Sequence, residues 1–151
     1  MGFPVTLSVA VRHIECLARE REGELVGKVY YEVERRGFAG PYILLPDLVA
    51  RLDEVHGVYI LSDKLRGIFV ARYVGRAVDL CDRLGDHAAE GTYAYFFVKQ
   101  TKTEIGAYWA ECSLFHQYGK ATHLDNRIHP ARPAGVNLPR CSETGCKGEA
   151  F

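Results

Sequence analysis

Residues 57–77 read GVYILSDKLRGIFVARYVGRA. Two runs in this stretch, Gly57 to Ser62 and Gly67 to Val74, are rich in β-branched and aromatic residues, and the polar Asp63, Lys64 and Arg66 separate them. Such a pattern predicts two antiparallel strands joined by a polar connection. Downstream the period changes. Leu80, Leu84 and Ala88 recur at helical spacing, which predicts a helix from about Val78 to Ala89, closed by Glu90 and Gly91. A third strand is expected at Tyr93 to Val98 (YAYFFV). Beyond it, Thr103 followed by Ile105, Tyr108, Trp109, Cys112 and Phe115 marks a longer helix up to Gly119, with Cys112, Trp109 and Phe115 counted in its apolar stripe. The order strand, strand, helix, strand, helix places the chain in the α+β class.

Upstream, Val5, Leu7, Val9 and Val11 alternate with polar or small residues, and Leu25, Val29, Tyr31 and Val33 alternate again. This predicts an amino-terminal β-hairpin, broken by Gly37, Gly40 and Pro41. Pro46 then starts a short helix through Leu48, Val49 and Leu52 that ends before Gly57. Residues 127–151 hold three of the six prolines and three glycines without periodicity, so a loop or tail is expected there. The chain thus divides into an extension over 1–56, a core over 57–126 and a tail over 127–151.

Composition narrows the function classes. With 151 residues, 48% of them hydrophobic, the chain suits one soluble domain that needs no cross-link to fold. Its apolar runs fall far short of the roughly 18 residues that a membrane span requires. The start, MGFPVTLSVAVRH, lacks the basic and long apolar regions of a secretory signal. Five cysteines, an odd number spread along the chain, suit reduced thiols in a cytoplasm. Nineteen basic against nineteen acidic residues argue against a non-specific nucleic-acid coat, though not against a local basic patch.

Several polar residues of the core are not explained by the fold alone. Tyr59 and Tyr73 fall on the two strands, and Arg83 and His87, four apart on the next helix, share one face. On the second helix, about 100° per residue sets Glu111 at the border of the apolar stripe, where a carboxylate calls for a cation. Singly, each has an ordinary explanation: half-buried strand tyrosines, a solvated Arg or His, a Glu paired with Lys102 or Lys120. Glu104 lies on the same helical face as Glu111, but its place at the helix N-terminus suits the helix dipole.

Taken in order, Gly57-Val58-Tyr59, Tyr73-Val74-Gly75, Arg83, His87, Glu111 and Asn126 resemble the signature of the GIY-YIG nuclease superfamily. The resemblance covers Gly57 to Asn126, close to half the chain. It implies a small three-stranded antiparallel sheet flanked by helices, here with the β-hairpin as an extension. It further implies a metal-dependent endonuclease that hydrolyses DNA phosphodiester bonds, with Tyr59, Tyr73, Arg83, His87 and Glu111 as catalytic residues. Glu111 would hold one divalent ion and Arg83 would grip the phosphate. A hard carboxylate oxygen suits Mg²⁺ or Mn²⁺. Tyr59, Tyr73 and His87 all remain candidates for handling the proton of the attacking water. Arg76 adds positive potential, and Asn126 either supports the wall of the site or contacts DNA. With one site per chain, cutting both strands calls for a homodimer or two successive events. The alternative is a catalytically inactive DNA-binding module of the same fold. A protein-interaction domain is a third reading. Lastly, Cys141 and Cys146, with His123 and His129 upstream, raise the question of zinc; a single close cysteine pair favours free thiols.

Overall fold

The computed structural model describes residues 13–16, 28–139 and 141. Along them run β1 (His13–Cys16), β2 (Lys28–Glu32), β3 (Ala39–Ile43), α1 (Pro46–Val49), β4 (Gly57–Leu65), β5 (Ile68–Ala77), α2 (Leu80–Glu90), β6 (Tyr95–Gln100), α3 (Glu104–Gln117) and α4 (Lys120–His123). The strands form one antiparallel sheet in the order β1-β2-β5-β4-β6-β3. The architecture is α+β.

At its centre β4 and β5 are longer than their apolar runs. Both residues of the connecting turn, Arg66 (φ 49°) and Gly67 (φ 81°), have positive φ. Two such residues make the tight hairpin turn whose twist matches the strands. Asp63 and Lys64 therefore belong to β4 and pair with Val70 and Phe69, rather than forming a connection. The register runs from Gly57↔Ala77 through Tyr59↔Gly75 to Leu61↔Tyr73, then slips so that Ser62 faces Ala71. Arg72 is the extra residue of this bulge. Its guanidinium bonds Asp63 and Asp125 and lies 5.2 Å and 5.0 Å from the rings of Tyr30 and Tyr93, whose hydroxyls donate to Asp125.

Every β4 residue from Gly57 to Ser62 is buried, because helices cover both faces of the strand. Val58 and Ile60 pack with Ala107, Leu114 and Phe115 of α3, whereas Tyr59 and Leu61 pack with Leu80, Leu84 and Ala88 of α2. Each fully buried apolar side chain of this kind contributes about 1.5–3 kcal/mol. The helices begin where their caps allow. Asp79 accepts from Asp82 N (3.0 Å) at the start of α2, Thr103 Oγ1 accepts from Gly106 N (3.0 Å) at the start of α3, and Gly91 (φ 68°) closes α2.

Two expectations change at the sheet edges. Gly37, Gly40 and Pro41 do not end the extended structure. Residues Ala39–Ile43 form β3, which pairs with β6 through an irregular register between Ala39 and Tyr42. A proline is accommodated because β3 is an edge strand, with one side unpaired among the described residues. The sheet consequently exceeds the three strands expected. At the other edge β1 pairs with β2 from His13↔Tyr31 to Cys16↔Lys28, while the expected first arm at Val5 to Val11 lies outside the described residues. The short helix α1 ends at Val49 rather than continuing to Leu52. No helix among the described residues is long and apolar enough to cross a membrane.

Candidate active site

Beyond Ala71, no strand among the described residues pairs with the outer edge of β5. There the two helical layers meet. Tyr59, Tyr73 and Arg83 approach from the α2 side, Arg76 and Glu111 from the α3 side, and together they line a cleft of about 290 Å³ whose wall also includes Glu104 and Ala131.

Both glycines of the Gly57-Val58-Tyr59 and Tyr73-Val74-Gly75 pair have steric reasons. A Cβ on Gly75 would lie 2.3 Å from Tyr59 Oη, because the Tyr59 ring crosses β5 at that point. On Gly57 it would lie 2.4 Å from Leu80 Cδ1 and 2.6 Å from the Lys99 carbonyl oxygen, where α2 and β6 close on the strand. The first glycine seats α2, and the second gives the phenol its path to the cleft.

Tyr59 Oη lies 2.9 Å from His87 Nε2. The Tyr59 and Tyr73 rings stack at 6.4 Å between centroids, and the His87 ring lies 5.5 Å from that of Tyr73. Burial raises the Tyr59 pKa well above that of an ordinary phenol; Tyr73 and Glu111 push it the same way, and Arg83 opposes them. Burial lowers the His87 pKa, with Arg83 adding to the effect and Glu90, whose carboxylate is 3.5 Å from Nδ1, opposing it. In the tautomer that keeps the imidazole proton on Nδ1, the side towards the Glu90 carboxylate, Tyr59 donates and Nε2 accepts.

Glu111 lies within the buried stripe of α3 rather than at its border. Burial raises its pKa, while Arg76 and then Arg83 pull it down. Its partner is Arg76, not Lys102 or Lys120: Arg76 Nη1 donates to Glu111 Oε2, Nη2 donates to the Ala131 carbonyl (2.6 Å), and the guanidinium rests 5.2 Å from the Tyr108 ring. Sequence reading missed Tyr108 and Ala131, since neither residue type signals a site. Arg83 remains 47% exposed, with Asp86 3.9 Å away.

Asn126 is not in the cleft lining. Its Oδ1 accepts from Val74 N (2.9 Å) and its Nδ2 donates to Val74 O (2.8 Å), so the amide stands in for a neighbouring strand along the open edge of β5. That geometry makes it a support for the β5 edge beside the cleft. Compared with family models, curated proteins and solved structures, the chain matches none.

Proposed function

We propose that the cleft at the β5 edge is the active site of a metal-dependent DNA endonuclease of GIY-YIG type. One observation carries this reading: two phenols, two guanidiniums and a buried carboxylate face one cleft, with an imidazole bonded to the deeper phenol. Phosphodiester hydrolysis needs a group to take a proton from water and cations to neutralise the phosphate as charge develops on it.

The Tyr59–His87 pair suits proton transfer. Since burial disfavours a free phenolate, Tyr59 does not hold the negative charge itself. Water gives its proton to Tyr59 Oη as Tyr59 passes its own to His87 Nε2, leaving hydroxide to attack phosphorus and an imidazolium on the enzyme. The P–O3′ bond breaks, the 3′ oxygen takes a proton from solvent, and the 5′-phosphate remains. Tyr73, stacked beside Tyr59, orients the water or the phosphate. Arg83, fixed on α2 and partly exposed, grips a non-bridging oxygen through its forked donors.

Glu111 offers a hard divalent cation a buried carboxylate in the cleft wall, and Glu104 supplies a second carboxylate in the same wall. Mg²⁺ or Mn²⁺ would supply Lewis-acid stabilisation of the charge developing on oxygen. Arg76, which pairs with Glu111 here, would be available to phosphate if Glu111 held such an ion.

The Arg76–Glu111 ion pair also suits the alternative, a DNA-binding module without catalysis, because the carboxylate is neutralised without metal. Incubation of the purified chain with plasmid and branched DNA in Mg²⁺ or Mn²⁺ separates the two. Cleavage supports the nuclease; binding to these substrates without cleavage supports the module.

A further inference from the structure

We infer that Cys112, His116, His129 and Cys141 form a structural zinc site, separate from the candidate catalytic cleft. Their ligand atoms all lie within 4.8 Å of one another. Cys112 Sγ is 3.3 Å from His129 Nε2 and 3.4 Å from Cys141 Sγ, and Cys141 Sγ is 3.2 Å from His116 Nε2. In a tetrahedron with ordinary Zn–S and Zn–N bonds, neighbouring donors lie about 3.3–3.8 Å apart, and these separations fall close to that spacing, so that small side-chain shifts would complete a zinc-sized centre. Two sulfurs and two imidazoles are the donor set that selects zinc over the hard ions suited to Glu111.

Chain geometry supports the same assignment. Cys112 and His116 lie one turn apart on α3 and therefore project from one face. His129 Nδ1 is 2.9 Å from the Pro130 carbonyl; donation to that oxygen fixes the tautomer that leaves the Nε2 lone pair towards the cluster. Phe115 packs against both imidazoles, with ring centroids at 5.7 Å and 5.5 Å. At 3.4 Å the two sulfurs are far beyond the S–S bond length of about 2.05 Å. Protein donors fill all four positions, the mark of a structural rather than catalytic zinc. The pairing considered from sequence was different. His123 Nδ1 instead faces the Val29 carbonyl at 2.9 Å, and Cys146 lies outside the described residues.

Such an ion would fasten the irregular segment carrying His129 and Cys141 to α3. Ala131, which lines the cleft and receives Arg76 Nη2, lies on that segment, two residues from His129. Zinc would thereby hold one wall of the cleft, whatever the cleft does.

The test is metal analysis of the full chain purified without added zinc, with Co²⁺ loading of the metal-depleted chain in parallel. One zinc per chain is expected, lost in C112S and C141S and retained in C81S, with the visible absorption of a tetrahedral thiolate site on Co²⁺ loading and a lower Tm on chelation. Absence of zinc together with absence of that Co²⁺ spectrum overturns the site, as does zinc retained at full stoichiometry in C112S and C141S, or a Cys112–Cys141 disulfide in the purified chain. Should either serine variant fail to fold, the Co²⁺ spectrum of the unaltered chain decides.

Discussion

Gly75 and His87 show how single residues set the chemistry of the cleft. A methyl group at Gly75 meets the Tyr59 hydroxyl at 2.3 Å, so the buried ring must shift to admit it. Gly75→Ala is expected to cost about 1–3 kcal/mol, in the range of overpacked cores, and to break the Tyr59–His87 bond. Urea denaturation checks the first effect and the cleavage rate the second. His87 carries a pH signature. Its native pKa is lowered by burial, while the unfolded chain takes up the proton at about 6.5. Above that value both states are neutral and stability is complete. As pH falls below it the unfolded state binds the proton first, and stability declines until the native imidazole titrates as well. Tm measured against pH should therefore fall on the acid side less steeply in His87→Gln than in the unaltered chain. The cleavage rate should begin to fall only at the acid end of that range, where the native imidazole itself takes up a proton, because only the neutral imidazole accepts one.

At the scale of elements, β5 is the critical strand, since its outer edge beyond Ala71 is completed by a side chain. Removing the Asn126 amide leaves the Val74 N–H and C=O without partners next to a fully buried side chain, at about 1–3 kcal/mol per group. Asn126→Ala should thus lower the urea midpoint. Asn126→Asp, which keeps the acceptor for Val74 N but sets a carboxylate against Val74 O, should not restore it. The elements were legible where the period was clean. β4, β5, α2, β6 and α3 all lie where alternation or helical spacing put them, with ends moved by turn and cap chemistry. β3 was not legible, because glycine and proline at Gly40-Pro41 mimic a chain break unless the strand is known to be at an edge. Nor was the bulge at Arg72, which depends on Asp125, distant in sequence.

For the whole molecule, the decisive feature is that the two helical layers converge at one open sheet edge. The resemblance to the GIY-YIG signature implies that Tyr59, Tyr73, Arg83, His87 and Glu111 belong together, and helical spacing places Glu111 near the core. Which cation meets Glu111 was not legible, because Arg76 reaches it across the β5 edge from 35 residues away in sequence. The Cys112, His116, His129 and Cys141 cluster was hidden for the same reason: half of it lies in a segment without periodicity. The central claim is that Glu111 serves a metal-dependent cut in DNA. Its most direct test compares plasmid cleavage by the unaltered chain and by Glu111→Gln, with Mg²⁺ or Mn²⁺ and with chelator, alongside DNA binding. The account predicts cleavage only with the divalent ion and the intact carboxylate, with binding preserved in the variant; equal cleavage by Glu111→Gln, or none by either protein, would contradict it.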